Sequence, residues 1–338
     1  MSAKSVGWLG ARNFAISLTV LLMISLSSVA TPSDATSTRD IELAFAGDIH
    51  FEEQLRQQGA AGGLQPFKPL LGSADISMLN LETALTTRGK PANKTYTFRA
   101  NPEVLTTLTS VGVDVVTMAN NHAFDYGTTY ALADTLRARK NSSVAVVGVG
   151  ANQSDAIKPF IKSVRGTSFA FFAFDDFWVL SNWPAKSDRA GMAVWANHKQ
   201  NILRQIKFWS NKVDVISVYV HWGYEYQTCP TSRQKSIARQ LAEAGADIVV
   251  GSHPHVLQGI GKKSGALVAY SLGNFSWYGH AFTESGVLKV TIRNKKIHSY
   301  SLVPTMYDKT GLPFLATGAR LTQFRNHMLQ VNKCDDLV

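Results

Sequence analysis

One pattern recurs along this chain and restricts what it can fold into. A short apolar run, rich in β-branched residues, ends directly in a cluster of Asp, Glu, Asn or His. Residues 41–46 lead into Gly47-Asp48-Ile49-His50, and residues 76–79 into Asn80-Leu81-Glu82. Residues 113–119 precede Asn120-Asn121-His122, and residues 213–220 precede His221-Trp222-Gly223. Residues 248–250 run into Gly251-Ser252-His253-Pro254-His255, and residues 267–272 into Gly273-Asn274. Apolar runs of this length bounded by Gly and polar residues read as strands, and runs apolar throughout read as strands covered on both faces.

Helical patterns lie between several of these runs. Asn101-Pro102-Glu103 is a helix start signal, with a capping Asn and a Pro at the first helical position. Residues 128–140 and 232–244 have helical apolar spacing, and Gly245 supplies a stop before the next strand. Helices alternating with buried strands argue for an α/β fold. In such sheets ligands sit beyond the carboxyl ends of the strands, so clusters far apart in sequence can converge there. Residues 163–177 and 286–303 read as further strands without ligand types, placed in a second sheet layer or at its edge. Beyond Pro304 the pattern is lost, and residues 306–338 read as a polar C-terminal tail.

The first thirty residues read as a signal peptide. Lys4 and Arg12 open it, an apolar run follows over residues 14–26, and Ser28 and Ala30 suit a signal peptidase. Residues 31–39 read as a disordered leader, and the domain as residues 40–305. The expected location is extracytoplasmic, periplasmic or secreted, with no transmembrane helix after cleavage. A retained leader would instead anchor the chain to the membrane. A hydrophobic content of 45% suits one large domain or two small ones with a sizeable core. The net charge of +10 is spread along the chain. No basic stripe with interleaved aromatics supports nucleic-acid binding, whereas an anionic polymer fits a basic surface.

Five of the nine histidines, His50, His122, His221, His253 and His255, fall in the strand-end clusters. Asp48, Glu82 and Asn121 accompany them. Asp48-x-His50 and His253-x-His255 each let two side chains approach one site from a single turn. Carboxylate, amide oxygen and imidazole together suit Mn, Fe or Zn, and the absence of thiols argues against a structural zinc cage. The set overfills one four-coordinate site, so two divalent ions sharing a carboxylate are the expected count.

The blocks GDIH (47–50), NLET (80–83), ANNHAFDYG (119–127), HWGYEY (221–226), GSHPH (251–255) and SLGNF (271–275) resemble those of CapA-like poly-γ-glutamate capsule proteins. Their order is also similar to that of the calcineurin-like metallophosphoesterases: DxH, an acid block, an NH block, a lone His, then HxH. The resemblance implies a calcineurin-like α/β sandwich of two β-sheet layers flanked by helices. It implies one ion on Asp48, His50 and His255, and another on Asn121, His221 and His253. Glu82 would bridge them, where phosphoesterases use an Asp in a Gly-Asp block, with Asn80 as a nearby alternative. His122 would protonate the leaving group or stabilise the transition state. Ala123 stands where the family usually has an acid, which leaves Asp125 to shape the loop or orient His122. Glu225 and Asn274 read as supports behind the ligands. Arg99, in Tyr96-Thr97-Phe98-Arg99, is either a contact for an anionic substrate group or a plain surface residue.

Two functions follow, the first from the ligand set and the second from the resemblance. One is a two-metal hydrolase acting on a phosphoester or a related bond of an anionic polymer. The other is a non-hydrolytic envelope component that binds or assembles poly-γ-glutamate, with capsule-synthesis membrane components as partners. Cys229 and Cys334 are the only cysteines. In an oxidising compartment a pair invites a disulfide, and two unpaired thiols are the alternative.

Overall fold

Hydrophobic patterning places the apolar runs in two sheets of a computed structural model that describes residues 39–60, 62–177, 179–278, 284–335 and 337. The signal peptide read at residues 1–30 and nearly all of the 31–39 leader lie outside the described residues. In the first sheet, β1 (Ile41–Ile49), β2 (Ile76–Leu81), β3 (Val115–Thr117) and β4 (Ala145–Val147) run parallel. The helices α1 (Val104–Ser110) and α2 (Ala133–Lys140) connect them. The second sheet takes β5 (Phe160–Val164), β6 (Thr167–Asp175), β7 (Val215–His221), β8 (Ile248–Ser252), β9 (Ile260–Lys263) and β10 (Ala266–Ala269). Its strand order is β9-β10-β8-β7-β6-β5. The helices α3 (Trp195–Trp209) and α4 (Ser232–Ala244) belong to its crossovers.

The two sheets stack, and strand alternation divides the core. On β6, Phe169, Phe171 and Ala173 join Leu43, Phe45, Tyr219 and Val250 between the sheets. The intervening Ala170, Phe172 and Phe174 join Val218 and Val220 beneath Ile202 and Ile206 of α3 and Ile237 and Leu241 of α4. The second sheet is thus buried on both faces, which is why its runs are apolar throughout rather than alternating. Tyr219 ties the layers together by donating its hydroxyl to the Ala46 carbonyl at 2.7 Å.

Local signals end the elements where the sequence suggests. Thr231 and Gln234 form a reciprocal capping box at the start of α4, and Gly245 closes the helix at φ 109°. The Asn101 side chain accepts from the Glu103 N–H at 3.1 Å just ahead of α1. Residues 128–140 are helical, though the first turn, Thr128–Leu132, is a π-helix.

Two expectations are corrected. Residues 286–303 do not join the second layer. They lie in β12 (Glu284–Arg293) and β13 (Lys296–Tyr307), which follow β11 (Asn274–Ser276) and extend the first sheet, β12 antiparallel to β1 and β13 antiparallel to β12. The tight turn at Asn294 and Lys295, with φ 51° and 65°, returns the chain as a hairpin, so no crossover to another layer is required. The 306–338 segment is not patternless: it forms β14 (Pro313–Leu315) on β13 and α5 (Gly318–Asn332). Phe324 and Val331 are the buried residues of α5, too few for a strong amphipathic signal in the sequence. Its end is held by Tyr270 donating to Asp335 at 2.7 Å and by a disulfide between Cys229 and Cys334, whose Cα atoms are 5.4 Å apart.

β1 and β11 meet so closely that glycine is required where the first polar cluster begins. A Cβ on Gly47 would stand 1.8 Å from the Gly273 carbonyl oxygen, and backbone cannot swing aside as a flexible side chain can. Gly47→Ala should therefore cost about 3 kcal/mol or more, an overpacking penalty, read as a lowered midpoint in urea.

Candidate metal centre

Parallel register aligns the strand ends. Asp48 on β1 stands opposite Asn80 on β2, and His221 on β7 stands opposite Ser252 on β8. The β2 strand then delivers Glu82, whose N–H donates to the Ile49 carbonyl at 2.8 Å. The turn after β8 carries His253 and His255 at φ 90° and 59°. Left-handed backbone at two non-glycine residues costs on the order of 1–3 kcal/mol each. Here it turns both imidazoles toward the same space.

Two buried ligand groups result, and they share one residue. Asp48, Glu82 and His255 offer ligand atoms mutually within 4.8 Å, and so do Glu82, His221 and His253. Among the described residues the Glu82 Oε1 atom has no hydrogen-bond partner, nor does either ring nitrogen of His253, nor Nε2 of His50. Buried polar atoms are nearly always paired, and an unpartnered carboxylate oxygen with three unpartnered imidazole nitrogens in the same site fit a cationic guest. The donor set of carboxylate, imidazole and amide suits Mn, Fe or Zn.

Hydrogen bonds aim the ligands. Asn80 donates to Asp48 Oδ1 at 2.7 Å and to Glu82 Oε2 at 3.2 Å, while its own oxygen accepts from Asn120 at 2.9 Å. Asn80 therefore orients both carboxylates, and its oxygen is not available to bridge. Asn274 Oδ1 accepts from His255 Nδ1 at 2.8 Å, which leaves Nε2 facing Glu82. The Asn121 oxygen lies 2.9 Å from His221 Nε2, at the edge of the second group. His50 sits beside the groups rather than within them. Its Nδ1 accepts from the Glu52 N–H at 3.2 Å, and its ring is packed against Phe98 and Trp277.

A second device stands next to the first. His122 Nδ1 donates to Asp125 Oδ2 at 2.6 Å, and its Nε2 is 4.0 Å from Glu82 Oε1. Asp125 is held in turn by Lys94 at 2.8 Å and by the Phe98 N–H at 2.8 Å. The Phe98 ring lies between the His50 and His122 rings, with centroids 4.5 and 4.2 Å away. A cavity of about 170 Å³ opens over the site, lined by His50, His122, His255, Glu225, Tyr226 and Trp277 among others.

The profile of the family described as bacterial capsule synthesis protein PGA_cap matches residues 42–277, a span that includes every ligand named above. The chain belongs to this family. It is 33% identical to the PGA biosynthesis protein CapA of Bacillus subtilis (strain 168) over 272 residues, 77% of this chain and 70% of that one. It is 28% identical to the capsule biosynthesis protein CapA of Bacillus anthracis over 273 residues, 77% of this chain and 66% of that one. A solved structure from Staphylococcus aureus described as a 5′-nucleotidase superposes with TM-score 0.51 at 15% identity, over 85% of this chain and 58% of that one. That likeness is one of fold: the metallophosphoesterase-like α/β sandwich.

For this PGA_cap chain, the structure brings Asp48, Glu82, Asn121, His122, Asp125, His221, His253 and His255 to one locality, with Asn80 and Asn274 behind them. It does not bring Arg99 there. Arg99 lies over the Tyr126 ring at 4.6 Å and lines a separate cavity of about 410 Å³, because its strand position points it away from the histidines. The sequence reading missed Lys94, which sits in a loop without apolar pattern or motif. It also missed Asp175, the buried end of β6 in register with His221. The two adjacent acids after the apolar run 169–174 were the available signal for Asp175.

Burial sets the protonation states of the unloaded site. It pushes the Glu82 carboxyl well above the usual range, and the neighbouring Asp48 adds to the effect. It pulls the His50, His221 and His253 imidazoles well below theirs, leaving them neutral and able to donate lone pairs. The folded protein holds the Glu82 proton over a range where the unfolded chain has lost it. Stability from this group is therefore full below pH 4.5 and declines as pH rises toward the folded pKa. The imidazoles act in the opposite direction, lowering stability as pH falls below 6.5. In a chelator, Glu82→Gln should therefore melt above wild type at pH 8, with the gap closing toward pH 5. Equal melting temperatures at pH 8 would contradict this assignment.

Proposed function

We propose that the chain is an extracytoplasmic, two-metal hydrolase that cleaves a phosphoester or a related ester or amide bond in the metabolism of an anionic capsule polymer. The observation that carries this reading is Glu82, a buried carboxylate shared by two ligand groups and lacking a donor for Oε1. Asp48 and His255, with His50 beside them, would hold one ion. His221 and His253, with Asn121, would hold the other. Divalent ions bound there would polarise the target oxygen and activate water at neutral pH.

The remaining chemistry belongs to the chain. Asn80 and Asn274 keep the ligands oriented. Burial lowers the pKa of His122, while the Asp125 carboxylate opposes that shift and stabilises an imidazolium. His122 can therefore carry a proton on Nε2 to the leaving oxygen, with Asp125 fixing Nδ1–H. Lys94 balances the charge of Asp125 and, by donating to the Asn121 carbonyl at 2.6 Å, fixes the loop on which His122 stands. Phe98 and Trp277 exclude water from the imidazole faces. The export-type leader and the Cys229–Cys334 disulfide support an oxidising, extracytoplasmic setting.

The test is turnover of bis-p-nitrophenyl phosphate by metal-loaded protein, with metal content measured in parallel. His122→Ala should leave the metal in place and lower kcat by roughly 10²–10⁴-fold, the scale of a lost general acid. Metal bound without His122-dependent turnover of phosphoesters or γ-glutamyl substrates would contradict the hydrolase. It would favour a non-hydrolytic role in handling the polymer, which the description of the family as capsule synthesis proteins supports.

A further inference from the structure

The loop after β7 adds a third ligand group that the two buried ones do not explain. Glu225, His253 and His255 offer ligand atoms mutually within 4.8 Å, and Glu225 is the one exposed member of any of the three groups. This third group takes one imidazole from each buried group. Glu225 therefore stands on the solvent side of both, and it lines the cavity over the site. Beneath it, His253 is fully buried with both ring nitrogens unpartnered.

The backbone of the loop that carries the Glu225 carboxylate is held in place. Tyr226 takes a left-handed φ of 64°, and its N–H donates to the Pro254 carbonyl, between the two histidines, at 2.8 Å. The Gln258 side chain donates to the Gln227 carbonyl at 2.8 Å. Cys229 is bonded to Cys334, which fixes the far end of the loop as the strand end at His221 fixes the near end. A loop ordered in advance lowers the entropy lost when a carboxylate on it binds.

We infer that Glu225 is an exchangeable ligand of the metal centre, completing on the solvent side the coordination offered by His253 and His255 until an anionic oxygen of the substrate takes its place. The inference rests on the metal-site reading above. It adds a substrate requirement: the group that enters must be an oxyanion able to compete with a carboxylate.

Zinc retention tests this without reference to activity. Full-length protein loaded with Zn²⁺ is titrated with EDTA, and free zinc is followed with a chromogenic dye. Glu225→Gln should release zinc at roughly tenfold lower chelator, the scale of a weakened metal shell. Glu243→Gln, an exposed acid on α4 paired with Arg239, should match wild type. Acetate should restore retention to Glu225→Ala by filling the vacated position. Unchanged retention in Glu225→Gln, with zinc held by wild type, overturns the inference and leaves the metal site standing. A weakened variant that acetate does not rescue assigns the effect to the loop and overturns direct ligation. A wild type that retains no zinc overturns both readings.

Discussion

A carboxyl group removed from water with one oxygen left without a donor is among the costlier features a fold can contain, and the centre of this protein is built around one. Glu82 is fully buried, its Oε1 atom lacks a hydrogen-bond partner among the described residues, and Asp48 lies close enough to raise its pKa further. Burying a charge costs several kcal/mol unless something compensates it. The surrounding imidazoles cannot do so as cations, because the same burial keeps His50, His221 and His253 neutral. Two carboxylates and several neutral imidazoles facing inward form a site short of positive charge, the condition under which divalent metal binding contributes most to stability.

The rest of the architecture serves that concentration of ligands. Two stacked sheets present their carboxyl ends at the same edge, so that Asp48 and Glu82 arrive from one layer and His221, His253 and His255 from the other. The close contact of Gly47 with Gly273 brings Asn274 up behind His255. The Asp48–Asn80–Asn120 hydrogen-bond chain continues to the His122 N–H, which donates to Asn120 at 3.1 Å. The ligand groups and the His122–Asp125 pair are thereby built on one polar network, and networks of this kind are costly when only partly satisfied.

Much of this was legible in the sequence because strand ends advertise themselves: an apolar run stops, and a polar cluster begins. That rule locates all seven proposed ligands and His122. It fails where the chemistry lies off a strand end. Lys94 reaches Asp125 from an irregular loop. Arg99 carries the charge expected of a substrate contact, but the backbone aims it into a different cavity. Asp175 does end a strand and so falls under the rule, yet residues 163–177 read as a strand without ligand types. The C-terminal segment escaped notice because α5 buries only Phe324 and Val331, and because its anchor is a cysteine pair whose geometry no spacing reveals.

The central claim is that Glu82 joins two metal sites into one centre. Crystals soaked in Mn²⁺ or Zn²⁺ and measured at the absorption edge test it directly. The account predicts two anomalous peaks flanking the Glu82 carboxylate, one beside Asp48 and His255 and the other beside His221 and His253, with both peaks lost in Glu82→Ala. Anomalous density that leaves Glu82 uncoordinated, or two peaks that survive its removal, would contradict it.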